Sequence, residues 1–457
     1  MFKRILGITL ASVMIAASLA GCSGSPKKST DTSATGTPEA SASEPEASKT
    51  VELTVWIESK KDTDLYKKME QKFMEANPNI KINKIVHEGD PGNDFYQGVA
   101  AGNAPDYIEC SRAKMESYSK AGILAPLDDY FAQWQDADKY DAEQMDRFKI
   151  GGTLYGIPTY GFAYYLGYNK ALFKEAGITE LPKTWDEMLE VAKKIADPAK
   201  GISGYTMQAG QWTDWFFQQY VWQAGGDLTK KNDDGTLTLT FTDPAVIQAA
   251  KFYQTLRKEK VVQSDLTMKH EDMFKYFASG KSGMIYMAGD MVPWVISLGM
   301  KAEDLGLMMP PAGPSGQSWV NGGIGGGYVI NAKSSKEKQD AAWKWIAFRS
   351  SLEYETAYFE DQASSGPIGP IFTARTDFDI SKIVDMDPEW VKITNDLIPT
   401  MRDEYYGKGT VTNYTDAAIQ KCIADPNADT EKIFQAQQDL AAKEVLDDFN
   451  ASVKEGN

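Results

Sequence analysis

From Val51 onward the chain alternates between two periodicities, and that alternation narrows the folds open to it. Glu52-Leu53-Thr54-Val55-Trp56-Ile57 is a short β-rich run and predicts a strand. Leu65, Met69, Phe73 and Met74 then recur at helical spacing, and Asn77-Pro78-Asn79 ends the helix. Ile80, Ile82, Ile85 and Val86 predict a second strand. Tyr107-Ile108 predicts a third, after the turn Gly102-Asn103-Ala104-Pro105-Asp106. Strand, helix, strand, helix, strand in that order predicts an α/β fold on a parallel sheet.

The same grammar returns later in the chain. Thr184-Trp185-Asp186-Glu187 reads as a capping box, with Thr184 taking the N3 amide and Glu187 reaching back. Met188, Leu189, Ala192 and Ile195 give that helix its apolar face. Asp243-Pro244 opens another helix, with an acidic N-cap and Pro at N1. Asn232-Asp233-Asp234-Gly235 is acidic enough for calcium, but it lacks the EF-hand spacing and closing Glu; a hairpin turn is expected instead.

The segment ahead of Val51 is of another kind. Lys3 and Arg4 precede an almost wholly apolar stretch from Ile5 to Ala20, followed by Leu19-Ala20-Gly21-Cys22. A basic start, an apolar stretch and small residues before a cut make a secretory signal over residues 1–21. A Cys directly after Ala-Gly resembles a bacterial lipobox, in which Cys22 is acylated and becomes the first mature residue. The alternative is one uncleaved membrane helix, for which the apolar run falls short of the roughly 20 residues a bilayer requires. Residues 23–50 contain no large apolar side chain, so they cannot offset their chain entropy by burial; with Cys22 they are expected to form a disordered, lipid-anchored tether. Two acyl chains on Cys22 anchor stably where one does not.

The full chain bears a net charge of −16, and loss of Lys3 and Arg4 with the signal makes it more negative still. Such a surface repels nucleic acid and anionic membrane, so no nucleic-acid partner is expected. With Cys22 spent on lipid, Cys110 and Cys422 remain. A disulfide is chemically open to an exported protein; two separate buried thiols are the expectation, since free Cys is commonly a small core residue.

Several motifs then carry a resemblance. Tyr155-Gly156-Ile157-Pro158 is followed by Leu166-Gly167-Tyr168-Asn169-Lys170-Ala171-Leu172-Phe173 and by Leu181-Pro182-Lys183-Thr184-Trp185-Asp186-Glu187-Met188. Gln223-Ala224-Gly225-Gly226, Phe277-Ala278-Ser279-Gly280-Lys281-Ser282-Gly283-Met284 and Asn321-Gly322-Gly323-Ile324-Gly325-Gly326-Gly327-Tyr328 follow in order. In sequence and spacing these resemble extracellular solute-binding protein family 1, the oligosaccharide-binding group that includes maltose-binding proteins. The resemblance implies a two-lobed periplasmic-binding-protein fold with discontinuous lobes and a central ligand cleft. It places one lobe at residues 51–160 plus 328–370 and the other at 165–318 plus 371–457, with crossings near 160–164, 319–328 and 370. It also implies a carbohydrate ligand, an ABC permease as membrane partner, a monomer on the outer face of the bacterial cytoplasmic membrane, no cofactor, no metal and no catalysis.

A pyranose needs aromatic faces for its C–H surfaces and polar groups for its hydroxyl rim. The chain has 11 Trp and 22 Tyr, residues that join a flat apolar body to a polar handle. By resemblance Trp56 and Glu58 line the cleft at the end of the first strand, although Trp56 fits the core equally well. Ser111 and Lys114, with Arg112, follow the third strand as polar contacts. Tyr160 lies on the first crossing with Phe162 and Tyr164; relatives more often have an acid near Phe162. Gln211-Trp212-Thr213-Asp214-Trp215-Phe216-Phe217 is the densest aromatic cluster, and helical spacing puts Trp212, Trp215 and Phe216 on one face. It reads as a stacking platform with Asp214 beside it, or else as a helix packed on the sheet. Asp290 and Trp294 form a further corner, and Trp319, Asn321 and Gly323 lie at the returning hinge. The Gly-rich run there lacks the Lys-Ser/Thr ending of a phosphate loop and continues as a strand.

Two rival functions share these features. A secreted glycan-active enzyme would use a pair among the 64 acids; against it stand two His, no His-rich metal pattern and no Gly-x-Ser-x-Gly nucleophile motif. An importer subunit for a peptide or another polar solute is disfavoured by the Trp-rich cleft residues.

Overall fold

The computed structural model describes residues 50–455 except 211. The expected signal, the tether and Cys22 therefore lie outside the described residues. The predicted strands form at Val51–Glu58, Ile80–His87 and Tyr107–Ser111. The first strand pairs in parallel with the other two. Gly326–Ile330 joins antiparallel beside the third, and Ile157–Pro158 closes this five-stranded sheet.

A second sheet is organised around Tyr160–Asn169. Met284–Ala288 and Leu305–Met308 pair antiparallel with its later part, while Gly322–Ile324 and Phe372–Thr373 pair with its beginning. Val320–Asn321 extends the sheet to Met401–Arg402. Each sheet has its own hydrophobic core. Phe73 and Trp345, whose rings meet edge-on at 4.9 Å, anchor the first; Phe216, Phe217 and Tyr253 lie in the second. The molecule is thus an α/β protein of two lobes, each with a sheet and covering helices.

Two chain passages join the sheets within a single residue. Thr159 separates Ile157–Pro158 in the first sheet from Tyr160 in the second. Gly325 separates Val320–Ile324 in the second from Gly326–Ile330 in the first.

Local details follow the sequence with two adjustments. Thr184 accepts the Glu187 amide at 3.3 Å, but the Glu187 carboxylate takes the amide of Lys183, one residue before the cap. Asp243 sits at the N-cap of Pro244–Lys258 without a side-chain cap bond; Pro at N1 supplies the start. Asn232–Gly235 joins the hairpin strands Thr229–Lys231 and Leu237–Leu239. Cys110 and Cys422 are free and buried, one in each core. Among the described residues no helix is long and apolar enough to cross a membrane.

Candidate functional site

The groove between the sheets is floored by the two passages. Phe162 and Gly325 border both of its parts, a cavity of about 220 Å³ and a wider one of about 1150 Å³. Phe162 is in the second sheet opposite Gly323. Glycines at 322, 323 and 325 leave the floor without side chains, so backbone groups lie open to an occupant. Gly323 has φ of 123°, and a Cβ there would stand 3.0 Å from Arg147 Nη1.

The smaller cavity is bounded by the ends of the first and third strands. Glu58 and Ser111 border it, both half-buried. Ser111 is the N-cap of Arg112–Lys120, yet its hydroxyl makes no cap bond. Glu58 pairs with Lys60 at 2.9 Å, and Glu109 with Lys61 at 2.7 Å. Trp56 also borders this cavity but is only 7% exposed, packed on His87 at 4.4 Å between ring centroids. Tyr160 borders it too and stacks on Tyr358 at 6.1 Å. Lys114 does not border it directly; its Nζ donates to Asp90, which does, at 2.7 Å, and to Asn93 at 2.5 Å.

The wider cavity has an aromatic wall from the second lobe. Trp215 stands half-buried beside Tyr164 at 6.0 Å, with Lys408 Nζ 4.5 Å from its ring centre. Opposite, Arg112 of the first lobe reaches Asp403 of the second at 2.8 Å, and Arg147 lies 3.8 Å from the same carboxylate. These charges ring an aromatic surface, a combination suited to a polar, hydroxyl-bearing solute.

The aromatic cluster at 212–217 divides. Its helix begins at Thr213, and Trp212 adopts a left-handed conformation with φ of 52° as the N-cap. Trp212 is 52% exposed and meets His270 at 4.8 Å, while Trp215 meets Tyr164. Phe216 is fully buried. The single face expected from helical spacing is not formed, because the helix starts one residue too late to include Trp212. Asp214 is buried, its carboxylate accepting from Tyr405 Oη at 2.6 Å and Thr412 Oγ1 at 2.8 Å.

Trp294 stacks on His270 at 5.7 Å and so continues the surface that Trp212 begins. Asp290 is exposed, but the protein surrounding it pushes its carboxyl up to about 6. Trp319 is half-buried under the Arg402 guanidinium at 4.8 Å. Asn321 is buried and fully engaged: it accepts from Gln218 at 2.7 Å and donates to the Trp215 carbonyl at 2.8 Å. Asn321 thereby holds the helix that presents Trp215.

Sequence reasoning missed Lys61, Glu109, Arg147, Asp403 and Lys408. Glu109 left one local sign, a charge inside the apolar run Tyr107-Ile108-Glu109-Cys110. Arg147 and Asp403 lie in segments without a motif, and only the fold brings them together.

Two α/β lobes enclosing a polar, aromatic-walled groove define a solute-binding protein. A model of the bacterial extracellular solute-binding protein family matches residues 58–355, and the chain belongs to that family. The family consists of binding proteins rather than enzymes. A binding protein of Brucella abortus is 26% identical over 406 residues, covering 84% of this chain and 93% of the relative. The diacetylchitobiose binding protein of Streptomyces coelicolor is 28% identical over 314 residues, 66% of this chain and 70% of that one. Among solved structures, the GacH receptor of Streptomyces glaucescens, studied unliganded and with acarbose, superposes with a TM-score of 0.70 at 21% identity, covering 87% of this chain and 99% of the receptor.

Proposed function

We propose that this protein is the extracellular substrate-binding subunit of an ABC importer, and that it captures a carbohydrate between its lobes and delivers it to a membrane permease without chemical change. The observation that carries this reading is the half-buried Trp215 face beside Phe162, set against the charged groups of both lobes across one groove. Flat apolar rings serve the C–H faces of a sugar, and the surrounding charges serve its hydroxyls. Relatives named for diacetylchitobiose and maltotriose support a sugar.

In this reading the lobes divide as the two sheets do, Thr159 and Gly325 act as hinges, and Trp212, Trp294 and Asp290 extend the binding surface along the second lobe. Cys22 carries the lipid that keeps a monomer at the outer face of the membrane. The test is a thermal-shift screen of the full-length chain in detergent against neutral and acidic glycans and short peptides. A ligand bound only by the folded state raises the melting temperature. Stabilisation by peptides and not by glycans would overturn the carbohydrate assignment, and release of altered glycan would overturn the non-enzymatic one.

A further inference from the structure

Behind the smaller cavity of the groove lies another, of about 290 Å³, inside the first lobe. The two share Lys61, Tyr66, Glu109, Thr159, Tyr160 and Arg349, so they are continuous. At the mouth each cation is matched by an acid: Lys60 by Glu58 and Lys61 by Glu109. Arg349 is different. It is 8% exposed, and among the described residues no carboxylate lies within ion-pair distance of it. Its Nη1 donates to Tyr107 Oη at 2.7 Å, while its buried Nε–H has no acceptor. The buried Tyr66 hydroxyl in the same wall also lacks a partner.

A guanidinium does not escape this by losing its proton. Three tyrosine faces partly shield it, with centroids 4.6–5.3 Å from its central carbon at Tyr328, Tyr66 and Tyr354. Ring faces leave the in-plane N–H groups unsatisfied, and those groups have the spacing to take a carboxylate bidentately. The other acid in the wall, Glu355, does not supply the missing charge: burial pushes its carboxyl up to about 8, so it stays largely protonated at neutral pH. In a chain of net charge −16, this pocket is an isolated cationic cavity opening onto the ligand groove.

We propose that the inner pocket receives a carboxylate of the bound solute through Arg349, so that the preferred ligand is an acidic sugar of the uronate class. This rests on the carbohydrate reading above and adds the ligand's charge to it. The alternative role for Arg349 is structural, a cation held among tyrosine rings.

Calorimetry on the full-length chain in detergent separates the two, using glucuronate- and galacturonate-terminated disaccharides against their glucose- and galactose-terminated counterparts. At least a tenfold tighter Kd for an acidic member is expected, with the preference shrinking as salt rises. Arg349→Met should erase the preference while leaving the neutral counterpart's Kd within about twofold. Should that variant fail to fold, Arg349→Lys provides the same reading and is expected to reduce the preference several-fold. Equal binding of acidic and neutral sugars, or an unchanged preference in the folded variants, overturns the proposal and leaves the carbohydrate reading intact. Binding of no sugar of either kind overturns both.

Discussion

Thr159 places its amide and its hydroxyl on one acceptor, the carbonyl of Gly326, at 3.1 and 3.0 Å. Both residues stand where a strand leaves one sheet for the other. The Arg112 amide donates to the adjacent Gly325 carbonyl at 2.8 Å, so the start of a first-lobe helix is tied to the same point. The two passages are therefore fastened to each other, and a change of angle at one involves the other.

That coupling gives a first prediction. Thr159→Val keeps the branched shape and removes one hydrogen bond, worth about 0.5–1.5 kcal/mol of stability. Small-angle scattering of the native protein should show compaction on saturation with a confirmed ligand, and the variant should compact as well but with a shifted Kd. A native radius that stays constant at saturation would rule out lobe closure.

Trp215 and Trp212 should now behave differently. Trp215→Ala is expected to weaken glycan binding about tenfold or more, taking about 0.5–1.5 kcal/mol for an aromatic face beyond its area burial as the scale. Trp212 is more exposed, and its ring meets His270 where that of Trp215 meets Tyr164, so Trp212→Ala should leave the melting temperature nearly unchanged and cost less affinity. Equal losses from both would restore the single platform that helical spacing predicts.

Asp214→Asn is expected to lower stability rather than act on ligand contacts. The carboxylate accepts from the Tyr405 and Thr412 hydroxyls through Oδ2 and from the Trp215 amide through Oδ1, so an amide in its place turns its NH2 toward a donor whichever way it sits. Hydrogen bonds to a charged group contribute about 1.5–3 kcal/mol. Denaturant unfolding should register that loss, while affinity measured well below the melting temperature should change little.

Glu355 makes stability depend on pH. Its carboxyl titrates near 8 in the folded protein, against an ordinary value of 4.5. Between those values the folded state holds a proton that the unfolded state has released, so stability falls as pH rises through the window. The contribution is complete below about 4.5 and lost above about 8. Glu355→Gln should flatten this decline, gaining on the native protein at pH 8 and matching it near pH 5. A parallel decline in both proteins would assign the pH dependence to other groups.

The first sheet was largely legible because its strands and helix repeat their apolar spacing within a short stretch, as Leu53, Val55, Phe73 and Ile80 do. The capped helix at Trp185 and the hairpin at Asn232 were legible for the same reason, since local chemistry specifies both. The site was legible only in part. Trp215 and Phe162 stood in aromatic clusters, but spacing could not tell that the helix starts at Thr213 and leaves Trp212 outside it. Asp214 and Asn321 looked available because their partners, Tyr405 and Gln218, are distant in sequence. Arg349 gave no sign, being one basic residue near the end of a helix until the fold surrounds it with tyrosines.

The position of Gly326–Ile330 in the first sheet bears on how the chain is made. This strand lies between Tyr107–Ser111 and Ile157–Pro158, so the sheet lacks an inner member until more than two-thirds of the chain has been synthesised. The second sheet waits longer, for Met401–Arg402. Pairings between such distant segments close large loops before they are rewarded, which slows folding. A nascent chain of this topology therefore stays incomplete through most of its synthesis, the unfolded form in which a polypeptide can be threaded across a membrane before its lobes lock.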